Sequence, residues 1–268
     1  MKKMTKNLVF MDIDDTLVNN HQEISKFTKD TIKQNQPNTI FYVATGRMFT
    51  SAKVIADEIN AKVVASNGGI FQNGSQIIQS YLGKDNLTNI YHILEEKDLS
   101  AFFFSNHQVF YNCSLPKYFK HSTNNRIASP NPDDYLKVDL HLLLQHSDEI
   151  INGIIIEDTN IDILESAKKE LRDTTDLNVS SSFKNNIELI PDNVSKATAI
   201  HQIQNEYNIT PENTFTFGDG ENDIEMFNTS KYSVAMGNAS DFVKSHANFI
   251  TDSYLNDGIA KFLQEHLS

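Results

Sequence analysis

The sequence predicts an α/β protein, a Rossmann-like parallel-sheet core interrupted by an inserted α+β domain. Three observations carry that expectation. Short apolar runs alternate with helix-like segments towards both ends of the chain, each run stops at a polar cluster rich in Asp, Gly, Thr or Asn, and the middle of the chain breaks the alternation. Strands alternating with helices build βαβ units, and these give a parallel sheet with helices on both faces.

Taken in order, Leu8–Ile13 and Thr39–Ala44 are apolar runs that read as buried strands. Between them, Glu23–Gln36 carries Ile24, Phe27, Thr31 and Ile32 at helix-like spacing, and Pro37–Asn38 closes the segment. Ser51–Ile59 reads as a second helix, with Val54, Ile55 and Ile59 on one side, and Lys62–Ala65 as a third strand running into Ser66-Asn67-Gly68-Gly69. The far end repeats the pattern as helix Lys196–Tyr207, strand Thr214–Phe217, helix Glu221–Phe227, strand Tyr232–Ala235 and helix Asp241–His246. The middle differs. Ala101–Ser105 and Gln108–Asn112 flank the two-residue turn Asn106-His107, as in an antiparallel hairpin, and are followed by strand Ile154–Glu157, helix Ile161–Leu171 and strand Asn178–Ser182. Tyr135–Glu149 is compatible with strand or helix, and helix is the expectation. The expected division is a core of residues 1–81 and 187–268 and an inserted α+β domain of residues 82–186.

Bulk composition narrows the function classes. At 268 residues, with 39% hydrophobic and 22% charged positions, the chain has the composition of a globular protein with a sizeable core. Its 23 Lys and Arg against 35 Asp and Glu give a net charge of −12, with no dense basic run, which argues against a nucleic-acid partner. The single cysteine, Cys113, has no internal disulfide partner, and Leu8–Met11 is too short for a signal peptide or a membrane span, so a cytoplasmic protein is expected.

The densest chemical signal is Asp12-Ile13-Asp14-Asp15-Thr16-Leu17, three carboxylates at the end of an apolar strand. Crowded like charges raise one another's pKa unless a cation relieves them, and bound Mg²⁺ would do so. In open α/β sheets ligands sit beyond the carboxyl ends of the strands, where the other clusters also fall. Thr45-Gly46-Arg47 follows the second strand and opens a helix, a place suited to holding an anion. Gly218-Asp219-Gly220-Glu221-Asn222-Asp223 adds carboxylates and an amide suited to a hard divalent cation. Lys196 starts a helix, where a cation is unfavourable for the dipole, so a charge partner is expected. Together these clusters supply what phosphoryl transfer through an acyl phosphate needs. A carboxylate nucleophile requires Mg²⁺ and a Lys to neutralise two approaching anions, and a second carboxyl group to move protons; Asp12 and Asp14 can supply the two carboxyl roles.

At these residues the chain resembles the haloacid dehalogenase (HAD) superfamily phosphatases, specifically the Cof-type branch of class IIB. Four motifs occur in family order: Asp12-Ile13-Asp14-Asp15-Thr16, Ala44-Thr45-Gly46-Arg47, Ser195-Lys196 and Gly218-Asp219-Gly220-Glu221-Asn222-Asp223. Ser66-Asn67-Gly68-Gly69 and Val234-Ala235-Met236-Gly237-Asn238-Ala239 match secondary features of the branch, and the inserted domain falls where class IIB enzymes carry their cap. The resemblance implies a Mg²⁺-dependent phosphatase of small phosphorylated metabolites, with sugar phosphates as the default substrate. Asp12 would be nucleophile and metal ligand, and Asp14 the acid/base that also binds metal through its carbonyl. Thr45 and Lys196 would hold the phosphoryl group, and Asp219, Asn222 and Asp223 would bind the metal or orient its surroundings. Gly46 and Asn67 are further substrate-site candidates, and Arg47 is expected to reach substrate under the cap. Ala197 stands where Gly is commoner in the branch and Gly69 where Ala is common; neither touches the chemistry. A phosphomutase of the same fold and a non-catalytic phosphate sensor are the competing readings, the sensor disfavoured because binding alone would not need Asp14.

Overall fold

The computed structural model describes residues 7–113, 135–181 and 183–267. The chain divides into two compact units, Met1–Ile78 with Ser195–Ser268, and Gln79–Val194. In chain order the strands are β1 (Asn7–Met11), β2 (Thr39–Ala44), β3 (Lys62–Ala65), β4 (Ile70–Asn73), β5 (Gln76–Gln79), β6 (Ser100–Phe104), β7 (Val109–Tyr111), β8 (Tyr135–Lys137), β9 (Asn152–Ile156), β10 (Leu177–Ser180), β11 (Asn186–Pro191), β12 (Thr214–Gly218), β13 (Tyr232–Ala235) and β14 (Phe249–Ile250). The helices are α1 (Lys26–Asn35), α2 (Phe49–Glu58), α3 (Lys84–Lys97), α4 (Leu140–Gln145), α5 (Ile161–Thr174), α6 (Lys196–Tyr207), α7 (Ile224–Phe227), α8 (Asp241–Lys244) and α9 (Gly258–His266).

The first unit is built on an eight-stranded sheet of order β14-β13-β12-β1-β2-β3-β4-β5. From β14 through β3 every pairing is parallel, and β4 turns back antiparallel to β3. Alternate side chains of the central strands go to opposite faces, as a strand period of two requires. Leu8, Phe10, Tyr42, Ala44 and Val64 enter a core with Ala199, Ile200 and Ile203 of α6 and with Met226 and Phe227 of α7. On the other face Phe217 of β12 packs edge-on against Phe262 of α9, ring centroids 5.6 Å apart, and α9 in turn meets α1. Because both faces are covered, β1 and β2 are apolar without alternation, which is why they were legible as continuous runs. The chain winds outward from β1 through β2 to β3, then returns to the far side of β1 with β12 and winds outward again through β13 to β14. The strand order therefore reverses between β1 and β12, the topological switch point at which open α/β sheets bind ligands.

The second unit holds a six-stranded sheet of order β10-β11-β9-β6-β7-β8, antiparallel except for β7 with β8. One face, carrying Ala101, Phe103, Phe110, Ile155, Ile187 and Leu189, packs on Leu87, Ile90 and Leu94 of α3 and Leu164, Ala167 and Leu171 of α5. The expected hairpin around Asn106-His107 is present as β6 and β7. The expected helix over Tyr135–Glu149 is corrected: Tyr135–Lys137 is a short strand on β7, and only Leu140–Gln145 is helical. Asp139 makes the break, its carboxylate accepting from Leu142 N–H at 2.8 Å as the N-cap of α4. The last residue of the expected strand Asn178–Ser182, Ser182, lies outside the described residues.

Candidate active site

Asp12 follows β1 directly, and its N–H still donates to Phe217 C=O of β12 at 2.9 Å, so the strand ladder fixes its backbone at the switch point. Its side chain is buried, and so is Lys196, the first residue of α6. The Lys196 ammonium donates to Asp12 Oδ1 and to Asp223 Oδ1, both at 2.7 Å. Asp223 Oδ2 accepts from the N–H groups of Asp219 and Gly220, each at 3.0 Å, so this carboxylate both anchors Lys196 and closes the turn after β12. A side chain at Gly218 would meet that carboxylate, an added Cβ lying 2.4 Å from Asp223 Oδ2. Asp219 Oδ1 accepts from the buried Thr16 hydroxyl at 2.7 Å.

One step away, Arg47 grips Asp14 as a fork, Nε to Oδ2 at 2.8 Å and Nη2 to Oδ1 at 2.6 Å, and also donates to Gln22 Oε1. Bidentate pairs of this kind set orientation as well as charge. The loop that carries Arg47 is self-fastened: Arg47 N–H donates to Thr45 Oγ1 at 3.2 Å, Asn67 N–H to Thr45 C=O at 3.0 Å and Ser66 N–H to Arg47 C=O at 2.9 Å. Asn67 lies against Gly46, where an added Cβ would be 3.3 Å from Asn67 Oδ1. Asn238 Nδ2 donates to Asp15 C=O at 2.9 Å and so steadies the turn after Asp12, where Asp15 has φ of 55°.

The structure thus unites Asp12, Lys196, Asp219 and Asp223, joins Asp14 to Arg47, and packs Thr45, Gly46 and Asn67 together. Asn222 stays exposed, with its Oδ1 crowding Gly220. Sequence reasoning assigned no role to Thr16, Gln22 or Asn238. Thr16 carried a signal, since a hydroxyl directly after the acidic run is placed to bond one of its carboxylates; Gln22 carried none.

Burial pushes the Asp12 carboxyl up to about 8, against the pull of the Lys196 ammonium and with the Asp223 and Asp219 carboxylates adding to the rise. For Lys196, burial would favour the neutral amine, but Asp12 and Asp223 outweigh it and hold the ammonium above its ordinary value. Burial likewise lifts Asp219 to about 6, opposed by the Thr16 hydroxyl and reinforced by Asp223 and Asp15. Carboxylate oxygens of Asp12, Asp219 and Asp223 lie within 4.8 Å of one another. Once all three are ionised, three carboxylates against one ammonium leave two negative charges in excess, and the donors are hard oxygens. Both properties fit a divalent cation of the Mg²⁺ type.

A family model for the haloacid dehalogenase-like hydrolases matches residues 9–263. The chain belongs to the haloacid dehalogenase-like hydrolases. It is similar to a Bacillus subtilis protein, the 5-amino-6-(5-phospho-D-ribitylamino)uracil phosphatase YcsE, with 30% identity over 96% of this chain and 94% of the relative. A haloacid dehalogenase-like hydrolase from Bacteroides thetaiotaomicron has the same fold, with a TM-score of 0.82 at 24% identity over 97% of this chain and 99% of the other. A structure described as a HAD subclass IIB sugar phosphatase superposes with a TM-score of 0.76 at 22% identity, covering 97% and 98% of the two chains. The parallel-sheet core with its inserted α+β unit is the class IIB architecture of these hydrolases, and the enzyme is a phosphatase. Among the described residues no helix is long and apolar enough to cross a membrane.

Proposed function

We propose that this phosphatase hydrolyses small phosphomonoesters, sugar phosphates or phosphorylated polyols, through a phosphorylated Asp12. The observation that carries the proposal is the buried Asp12 carboxylate at the switch point, held on one oxygen by Lys196 and bordered by Asp219 and Asp223. Asp12, Asp219 and Asp223 would hold Mg²⁺, which when bound supplies the positive charge that lets two anions approach.

Asp12 attacks phosphorus as the bond to the leaving oxygen breaks, and Asp14 gives that oxygen a proton. The Asp14 carboxylate then takes a proton from water as the water attacks the aspartyl phosphate, which releases inorganic phosphate and restores Asp12. Lys196 and the Thr45-Gly46 loop hold the phosphoryl oxygens. In this structure Arg47 holds both Asp14 oxygens, which favours the carboxylate, so Asp14 carries and gives its proton only when that fork is open. The second unit is proposed to select the substrate. The Bacillus subtilis relative's name places phosphate on a ribityl chain, which favours polyhydroxylated phosphate esters here. Cys113, a thiol that donates to Ser100 Oγ at 2.7 Å, suits a cytoplasmic setting.

The test compares two isosteric variants on p-nitrophenyl phosphate, whose leaving group needs no proton. Asp12→Asn should form no phosphoenzyme. Asp14→Asn should release a burst of nitrophenolate approaching one equivalent and then turn over slowly, losing ~10²–10⁴ in steady rate, with the phosphoryl mass trapped on the Asp12 peptide. Steady turnover by Asp12→Asn, or label on another residue, would overturn the assignment.

A further inference from the structure

Ser66 and Asn67 have φ of 48° and 50°, and Gly68 has φ of 98°, three consecutive residues in the left-handed region. For non-glycine residues that region is costly and persists only where surrounding structure demands it. What demands it here lies on two sides. On one, the backbone of the turn is bonded to the phosphate-side loop, Asn67 N–H to Thr45 C=O and Ser66 N–H to Arg47 C=O. On the other, Gly68 is pressed against the start of α6, where an added Cβ would lie 2.2 Å from Ser195 C=O and 3.1 Å from Lys196 N. The start of α6 has little freedom to retreat, because Ser195 and Thr198 close a reciprocal capping box, Thr198 N–H to Ser195 Oγ at 3.2 Å and Ser195 N–H to Thr198 Oγ1 at 2.9 Å.

We propose that Gly68 is a positioning residue that acts through Lys196: the left-handed turn sets the distance between the Thr45–Arg47 loop and the first residue of α6, and so aims the ammonium between Asp12 and Asp223. The inference rests on the reading of Lys196 as a group that holds the transferring phosphoryl. Only glycine combines φ of 98° with this approach. Any side chain must push Ser195, and Lys196 with it, out of register with the two bonds of 2.7 Å.

The experiment is a double-variant cycle on kcat/KM for p-nitrophenyl phosphate. Gly68→Ala should lower kcat/KM by about 10²-fold, the usual cost of misplacing a reacting group by about 1 Å. In the Lys196→Ala background the same change should cost less than about twofold, because the group it misplaces is already gone. Gly83→Ala is the control, since Gly83 has φ of 82° with nothing within 4 Å of its added Cβ; it should lose stability alone. If Gly68→Ala does not fold, Ser66→Gly replaces it. Glycine accepts φ of 48°, the turn loosens, and the smaller loss of activity should again vanish without Lys196. Equal losses in both backgrounds would overturn the positioning role. Full activity of Lys196→Ala on its own would overturn the reading of Lys196 and this inference with it.

Discussion

Replacing Asp223 with Asn keeps the shape of a side chain that carries three hydrogen bonds, and so isolates its charge. The carboxylate accepts from Lys196 Nζ at 2.7 Å and from the N–H groups of Asp219 and Gly220 at 3.0 Å. An amide has one accepting oxygen, so if it keeps the two backbone donors its NH₂ must face the ammonium. The charge-assisted bond to Lys196 is then lost, worth ~1.5–3 kcal/mol, and a donor is left facing a donor. Breaking a buried ion pair outright costs about 3–5 kcal/mol, but Lys196 keeps Asp12, and removing one carboxylate relieves both Asp12 and Asp219. The net expectation is a loss of roughly 2–3 kcal/mol in urea unfolding of chelated protein at unchanged m-value. The rate should fall by about 10²-fold as the ammonium loses one of its two anchors. A variant within about 0.5 kcal/mol of the parent, or one with unchanged kcat, would refute the assignment of Asp223 as the residue that fixes Lys196.

Activity should disappear on exhaustive chelation, return with Mg²⁺ and fall with excess Ca²⁺, whose 6–8 ligands at longer distance suit the three-carboxylate cluster less well as a reaction site; turnover after full chelation would refute this. Asp12 and Asp219 are both raised on folding, and comparison with Asp219→Asn isolates the part due to Asp219, raised from 3.8 to about 6. A carboxyl raised on folding contributes stability that is fully present below the unfolded value and is lost as pH climbs through the folded one. Between about pH 4 and pH 7 the parent should therefore lose about 2 kcal/mol relative to Asp219→Asn, a difference that added Mg²⁺ should reduce and that unfolding curves at the two pH values measure. Gly258→Ala places a Cβ 2.0 Å from Asp252 C=O at the start of α9, away from the chemistry. It should cost ~1–3 kcal/mol by overpacking, seen as a lower Tm with kcat preserved below the transition.

The strands placed to the residue in the sequence are those of the parallel core, and amphipathic helices such as α5 and α6 were legible from their apolar stripes. β2, β3 and β13 occupy the residues their apolar patterns predict, because a parallel strand covered on both faces has no solvent face to blur the run. The β4–β5 hairpin escaped because its strands are four residues long and β5 reads Gln-Ile-Ile-Gln, half exposed. The helix α3 escaped although Leu87, Ile90, Tyr91 and Leu94 recur at helical spacing, since Asn, Thr and His dilute the stripe. Tyr135–Lys137 became a strand by pairing with β7, a tertiary contact that outweighs local helical preference. The candidate site divides in the same way. Its acidic and Thr-Gly-Arg clusters were visible because each sits at a strand end. The bonds between them were not: Thr16 meets Asp219 across 203 positions and Lys196 meets Asp12 across 184.

Those long separations explain why each cluster looks costly alone and is not so in the folded core. Asp12, Asp14 and Asp15 are adjacent carboxylates with no cation in their own segment, yet Asp14 receives Arg47 from the loop after β2 and Asp12 receives Lys196 from α6. Lys196 stands where the helix dipole disfavours it and is held there by two carboxylates from elsewhere. Thr16 serves Asp219 Oδ1, and the Asp219 and Gly220 N–H groups serve Asp223 Oδ2. The cations that meet Asp12, Asp14 and Asp223 thus come from segments other than their own, and two negative charges are left over among ionised Asp12, Asp219 and Asp223. That residue of charge is retained in a buried place where neutral side chains would be more stable. Lys196 takes only Asp12 Oδ1 and Asp223 Oδ1, and an excess of negative charge on the hard oxygens it leaves is what the proposed divalent cation would match.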